Sequence, residues 1–127
     1  VKAKLSVTGE KRPADLDATL FARAMANLIA NASTHGGGAE SVEVAFNGKA
    51  VRIDVLDRGP GLMPGEEEKI FQSFYRRPSK VHESLGLGLA LVRKIAEAHG
   101  GSASALNRDG GGAAIGFEVP LPTAGEE

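Results

Sequence analysis

The sequence predicts a two-layer α/β sandwich, with helices laid on one face of a mostly antiparallel sheet. Three observations carry that prediction. Two long segments repeat apolar residues at helical spacing. A strand–turn–strand stretch alternates at period two around Asn47-Gly48, and two further short strands close the chain. Only one face of each element is apolar, so one layer of helices on one face of one sheet satisfies them all.

In chain order, residues 3–8 (AKLSVT) alternate weakly and predict a first strand, followed by the polar turn GEKRP. Asp17 is the expected N-cap of a helix from about 18 to 34. Its apolar stripe is Leu20, Phe21, Ala24, Met25, Leu28, Ile29 and Ala32, and HGGG (35–38) stops it. SVEVAF and KAVRIDVLD flank Asn47-Gly48, the favoured two-residue hairpin turn. That turn pairs Val44 with Val51 and Val42 with Ile53, which puts both apolar sets on one face. DRGPGLMPG (57–65) is irregular, and EEEKIFQSF (66–74) predicts a short helix with Phe71 and Phe74 as core anchors. YRRPSKVHES (75–84) is polar, has no period and is expected to move. From Gly86 a second long helix runs to about His99, with Leu87, Leu91, Val92, Ile95 and Ala96 on its buried side. Gly100-Gly101 caps it. SASAL and AAIGFEV are the last strands, around NRDGGG, before Pro120, Pro122 and an acidic tail. No internal repeat or second domain interrupts the pattern, so residues 1–127 read as a single domain.

Composition sets the outer limits. A chain of 127 residues with 42% hydrophobic and 24% charged content is globular and long enough to bury a core. A net charge of −1 argues against a nucleic-acid binder that relies on a basic face. The absence of cysteine rules out disulfides and zinc–thiolate sites and fits a cytoplasmic location. No apolar run approaches the roughly 18 residues of a membrane helix, and no signal peptide is visible, so this domain is not expected to enter a membrane. The chain opens on Val1 rather than Met, as a piece of a longer protein would.

Four features are able to carry chemistry, and each has a plainer reading beside it. Asn27 and Asn31, spaced i and i+4, stack on one side of the first helix at the margin of its apolar stripe. Their carboxamide oxygens suit a hard cation such as Mg²⁺; the plainer reading is local hydrogen bonding. Asp57 ends a strand and begins Asp57-Arg58-Gly59-Pro60-Gly61. Its carboxylate suits the exocyclic amine of adenine, and Gly59 and Gly61 let the backbone approach a flat base; the plainer reading is a turn. Gly86-Leu87-Gly88-Leu89 opens the second helix as a phosphate cradle or as a flexible entry loop. Arg76 and Arg77 either meet phosphates or are solvated. His35 lies just past the asparagines, where its ring is able to stack on a ligand, although His35, His82 and His99 all read first as surface residues.

Taken together, N-L-I-A-N-A, D-R-G-P-G-L, I-F-Q-S-F-Y-R-R and G-L-G-L-A-L-V-R-K-I-A-E-A-H-G-G resemble the four boxes of sensor histidine kinase ATP-binding domains. These belong to the superfamily that includes gyrase, Hsp90 and MutL ATPases, and the resemblance covers residues 3 to 120. It implies the Bergerat ATP-binding fold: a five-stranded mixed sheet backed by three helices, with ATP between helices and a lid at 75–85. It also implies that Asn31 ligands Mg²⁺ and Asn27 assists at metal and phosphates. Asp57 would bind the adenine amine, Gly59 and Gly61 would shape the base pocket, and Gly86, Leu87, Gly88 and Leu89 would hold the phosphates. Thr34 stands where the family has Lys or Arg, which removes a phosphate-facing cation. His35 replaces an aromatic, commonly Tyr, and Ser84-Leu85 replaces Gly followed by Ser or Thr at the lid hinge.

The function implied is phosphoryl transfer from Mg·ATP to a histidine on a separate dimerisation domain of the same kinase, and from there to a response regulator receiver domain. None of His35, His82 and His99 has the acidic neighbour on an amphipathic helix that such an acceptor has, so the acceptor is expected outside this chain. The isolated domain is expected to be monomeric. A hydrolysing ATPase of the gyrase type would carry a glutamate at the position of Asn27. A regulatory module without transfer activity, and a serine-directed anti-sigma kinase of the same superfamily, are the other readings.

Overall fold

The computed structural model describes residues 3–75 and 88–122. The elements are β1 (Lys4–Thr8), α1 (Ala18–His35), β2 (Ser41–Phe46), β3 (Ala50–Leu56), α2 (Glu66–Lys69), α3 (Gly88–Ala98), β4 (Ser102–Asn107) and β5 (Ala113–Pro120). They form one five-stranded sheet in the order β1-β2-β3-β5-β4. β1 runs parallel to β2 and every other pair is antiparallel, the mixed sheet that the resemblance implied. Most of the expected lid, together with Arg76, Arg77, Gly86 and Leu87, lies outside the described residues.

Helix α1 begins where expected because the Asp17 side chain accepts from the Leu20 amide at 3.0 Å and supplies the partner that the first turn lacks. It ends at Gly36, whose N–H returns to the Ala32 carbonyl. Ala24, Leu28 and Ala32 are buried to 1% or less, while Ile29, expected in the stripe, is 42% exposed. Helix α3 buries Leu89, Ala90, Val92, Ile95 and Ala96. Gly101 N–H bonds back to the Ala96 carbonyl at 2.8 Å, closing a Schellman-type cap. Between these helices and the sheet lies the core, centred on Ile53, Val55, Ile115, Phe117 and Val119, with Phe21 meeting the Phe117 ring edge-on at 6.1 Å.

The hairpin has a different register from the expected one. Val44 pairs with Ile53, Val42 with Val55 and Phe46 with Val51. The two central turn residues are therefore Gly48 and Lys49, not Asn47 and Gly48. Asn47 sits before the turn, and its side-chain oxygen accepts from the Lys49 and Ala50 amides at 2.9 and 2.7 Å. Gly48 takes the first central position at φ +89°, which suits the glycine-first form of this turn. The slip is two residues, so side-chain parity survives and the apolar face stays inward.

The short helix is also corrected. It spans Glu66–Lys69 rather than 66–74, and tighter single-turn bonds follow it. With the helix ended, Phe71 and Phe74 no longer share a face. Phe71 is buried to 1%, but Phe74 is 69% exposed at φ +68° and is not a core anchor.

His99 is partly buried rather than a surface residue. Its Nδ1 lies 2.8 Å from the Ile95 carbonyl, so Nδ1 carries the proton. Its Nε2 accepts from the Asp17 amide at 3.0 Å, tying the end of α3 to the start of α1. His99→Ala removes both bonds and is expected to cost about 1–2 kcal/mol. The check is a lower urea midpoint with an unchanged slope.

Candidate functional site

Asp57 follows directly on β3 and is only 2% exposed, a rare position for a carboxylate. Its Oδ1 accepts from the Gly59 amide at 2.9 Å and from the Ala113 amide at 3.2 Å. Both bonds fall on one oxygen. The other, Oδ2, faces Gly36, where a Cβ would come within 2.5 Å of it. A Cβ on Gly59 would in turn meet the Gly36 Cα at 2.5 Å and the His35 carbonyl at 2.9 Å. The end of α1 and the loop after β3 therefore touch backbone to backbone around the carboxylate. Any side chain at residue 36 would displace it.

One and two turns earlier on α1 lie Asn31 and Asn27, both partly buried. The Asn27 amide nitrogen donates to the Gly88 carbonyl at 3.1 Å, which joins α1 to the first residue of α3. This bond spans elements far apart in sequence, unlike the local bonding that was the plainer reading. With the nitrogen so fixed, Asn27 presents its oxygen as an acceptor. Leu89 is only 8% exposed and its side chain packs in the core, so it offers no side-chain contact to a ligand. Gly61 turns the other way: a Cβ there would meet Asn107 Oδ1 at 2.6 Å.

Two residues at the site carried no sequence signal. Asn107 of β4 accepts from the Leu62 amide at 2.6 Å and donates to the Leu62 carbonyl at 3.1 Å, pinning the loop after Asp57. Glu66 is buried to 3%; it accepts from the Met63 amide at 2.9 Å and from the Tyr75 hydroxyl at 2.8 Å. It is the first of the three consecutive glutamates Glu66-Glu67-Glu68, and nothing in that run distinguishes it.

Residues 16–123 match the family described as histidine kinase-, DNA gyrase B- and HSP90-like ATPases. The chain belongs to that family. Within it, the likeness is to sensor histidine kinases. Sensor protein KdpD of Escherichia coli is 39% identical over 114 residues, which is 87% of this chain and 13% of that protein. Sensor-type histidine kinase PrrB of Mycobacterium tuberculosis is 41% identical over 101 residues, 79% of this chain and 23% of that protein. The solved catalytic domain of histidine kinase ThkA superposes with a TM-score of 0.76 at 28% identity, covering 92% of this chain and 78% of that one. This chain is thus a histidine kinase catalytic domain with the nucleotide-binding fold of its family, and it spans a small part of the length of its curated relatives. Among the described residues of this kinase domain, no cluster of three His, Cys, Asp or Glu is placed to hold a metal, and no helix is long and apolar enough to cross a membrane.

Proposed function

We propose that this kinase domain binds Mg·ATP and transfers the γ-phosphoryl group to a histidine on a separate dimerisation domain of the same kinase, for onward passage to a response regulator receiver domain. The observation that carries the reading is the buried Asp57 carboxylate, held by two backbone donors on Oδ1 with Oδ2 toward the glycine backbones. A buried acceptor-only group suits an amine donor such as that of adenine. Two similar proteins lend support: ShkA was solved in complex with AMPPNP, and histidine kinase ThkA in complex with response regulator protein TrrA.

The donor set fits magnesium. Mg²⁺ takes few protein ligands and keeps waters and substrate phosphates, and two carboxamides on one helix face meet that need without a carboxylate cage. In this reading Asn31 and Asn27 hold the ion, which when bound neutralises charge on the transferring phosphoryl group. Asp57 orients adenine, while Gly59 and His35 border the base; Gly61, whose α-carbon faces Asn107, shapes the loop behind them rather than the base pocket. Arg76, Arg77, Gly86, Leu87, Gly88 and Leu89 form the phosphate side, of which only Gly88 and Leu89 are described residues. Asn27 cannot serve as the general base that the water-activating ATPases carry at that position, and its amide nitrogen is already committed to Gly88. The domain would be one monomeric, cytoplasmic module of a longer kinase.

The isolated chain is expected to bind ATP, hydrolyse it very slowly and never label itself. Adding a cognate histidine domain should yield an acid-labile, base-stable phosphohistidine on that domain. Rapid turnover by the chain alone, or stable phosphate on one of its own residues, would overturn the reaction class.

A further inference from the structure

The turn between β4 and β5 grips Asp57 from behind. The Asp57 amide donates to the Ala113 carbonyl at 3.0 Å, and the Ala113 amide returns to Asp57 Oδ1 at 3.2 Å. The second backbone handle, the Asp57 carbonyl, accepts from Arg108 Nη1 at 2.7 Å. Arg108 is itself fixed: its side chain is only 14% exposed, and Nη2 donates to Glu40 Oε1 at 3.0 Å. The other Glu40 oxygen receives Arg58 Nε at 3.3 Å. Arg58 Nη1 in turn donates to the Asp109 and Gly111 carbonyls at 3.0 and 2.9 Å, holding the turn that bears Arg108. The circuit closes on itself through three segments of chain, at Glu40, at Asp57-Arg58 and at 108–113.

We infer that Arg108, anchored by Glu40, is a positioning residue for nucleotide recognition: it sets where the Asp57 carboxylate stands and so tunes discrimination for the adenine amine. This rests on the reading of Asp57 as the adenine acceptor. The physical basis is that Asp57 follows the last residue of β3, where the ladder ends on its amide bond to Ala113 and its carbonyl is held by Arg108 instead of a strand. Without Arg108, the peptide carbonyl of Asp57 loses a charge-assisted bond, and the side chain swings with its backbone. The carboxylate needs correct placement only when a ligand group must meet it, so the effect should appear in base discrimination more than in binding of the triphosphate. The circuit is robust near neutral pH. The hydrogen bond from Arg108 holds the Glu40 carboxyl below the usual carboxylate range, against the opposing effect of desolvation, with the charges of Arg58 and Arg108 adding to it. A depressed folded pKa means that the pairing is fully present above the ordinary carboxylate range and is lost as pH falls through the lower folded value.

The test compares ATP with purine riboside triphosphate, which lacks the 6-amine, in calorimetric titrations of the purified chain and its Arg108→Ala, Arg108→Lys and Asp57→Asn variants. Arg108→Ala should bind ATP about three- to tenfold more weakly, with the deaminated analogue bound as before. Arg108→Lys, which keeps a donor but not the two-point reach, should recover part of the loss. If Asp57→Asn abolishes the preference for ATP while Arg108→Ala keeps it whole, the positioning role is overturned and the reading of Asp57 stands. If Asp57→Asn keeps the preference, the reading of Asp57 falls and the inference falls with it. Equal weakening of both nucleotides in Arg108→Ala would mark a merely structural arginine. Should Arg108→Ala lack a folded circular dichroism spectrum, Glu40→Ala at the exposed end of the circuit decides the matter: a reduced preference supports the role, and an unchanged one overturns it.

Discussion

Asn31→Ala should abolish phosphoryl transfer to a supplied histidine domain while leaving the circular dichroism spectrum of the chain intact. The fold tolerates the change because Asn31 is only partly buried, at the margin of an apolar face built from Ala24, Leu28 and Ala32. Alanine also has the higher helix propensity. The chemistry does not tolerate it, because transfer depends on charge neutralisation and in-line positioning at the γ-phosphate, and the carboxamide oxygen is the proposed magnesium ligand. ATP should still bind, more weakly, through its base. Retained transfer at a comparable rate would remove Asn31 from the metal site.

Asp57→Asn should weaken ATP binding by about ten- to a hundredfold, the range set by a charged hydrogen bond of roughly 1.5–3 kcal/mol. The geometry explains why binding should suffer more than folding. Asparagine keeps an oxygen for the Gly59 and Ala113 amides, which both use Oδ1. The amide nitrogen then replaces Oδ2, and a donor faces the adenine donor. A calorimetric dissociation constant unchanged from the parent chain, with ATP still preferred over GTP, would exclude Asp57 from base recognition.

Much of this fold could be read from the sequence because local rules and tertiary needs agree. Asp17 caps α1 and Ala24, Leu28 and Ala32 bury its face, so propensity and packing point the same way. The strands were visible through alternation, the mixed five-stranded sheet came only with the family resemblance, and the strand order came only with the structure, since parity alone does not fix neighbours. Failures came where a side chain took over a backbone duty. Asn47 accepts two amides with its own oxygen and moves the turn one residue on, a contest that dipeptide preference does not resolve. Phe74 has helical spacing from Phe71, yet it turns outward because the helix ends at Lys69, before either of them. At the site, Asn27, Asn31 and Asp57 announced themselves by residue type and order. Glu40, Arg108 and Asn107 did not, because their partners are long-range and nothing in their own neighbourhood distinguishes them from surface charges and turn residues.

The two bonds between α1 and α3, Asn27 to Gly88 at one end and Asp17 to His99 at the other, act together as a ruler. Sliding either helix by one residue is a step of about 1.5 Å with a rotation near 100°, enough to break both marks at once. The helices are thus locked in phase, and the asparagine face keeps its bearing on the first turn of α3 from one end of the pair to the other. Substitutions along these helices are absorbed site by site. A single-residue insertion or deletion between Asp17 and Asn27 is not: it rotates one part of α1 against the other by about 100°, so that Asn27 at Gly88 and Asp17 at His99 no longer meet their partners together. In this domain the length of α1 is therefore under a stricter constraint than most of its composition.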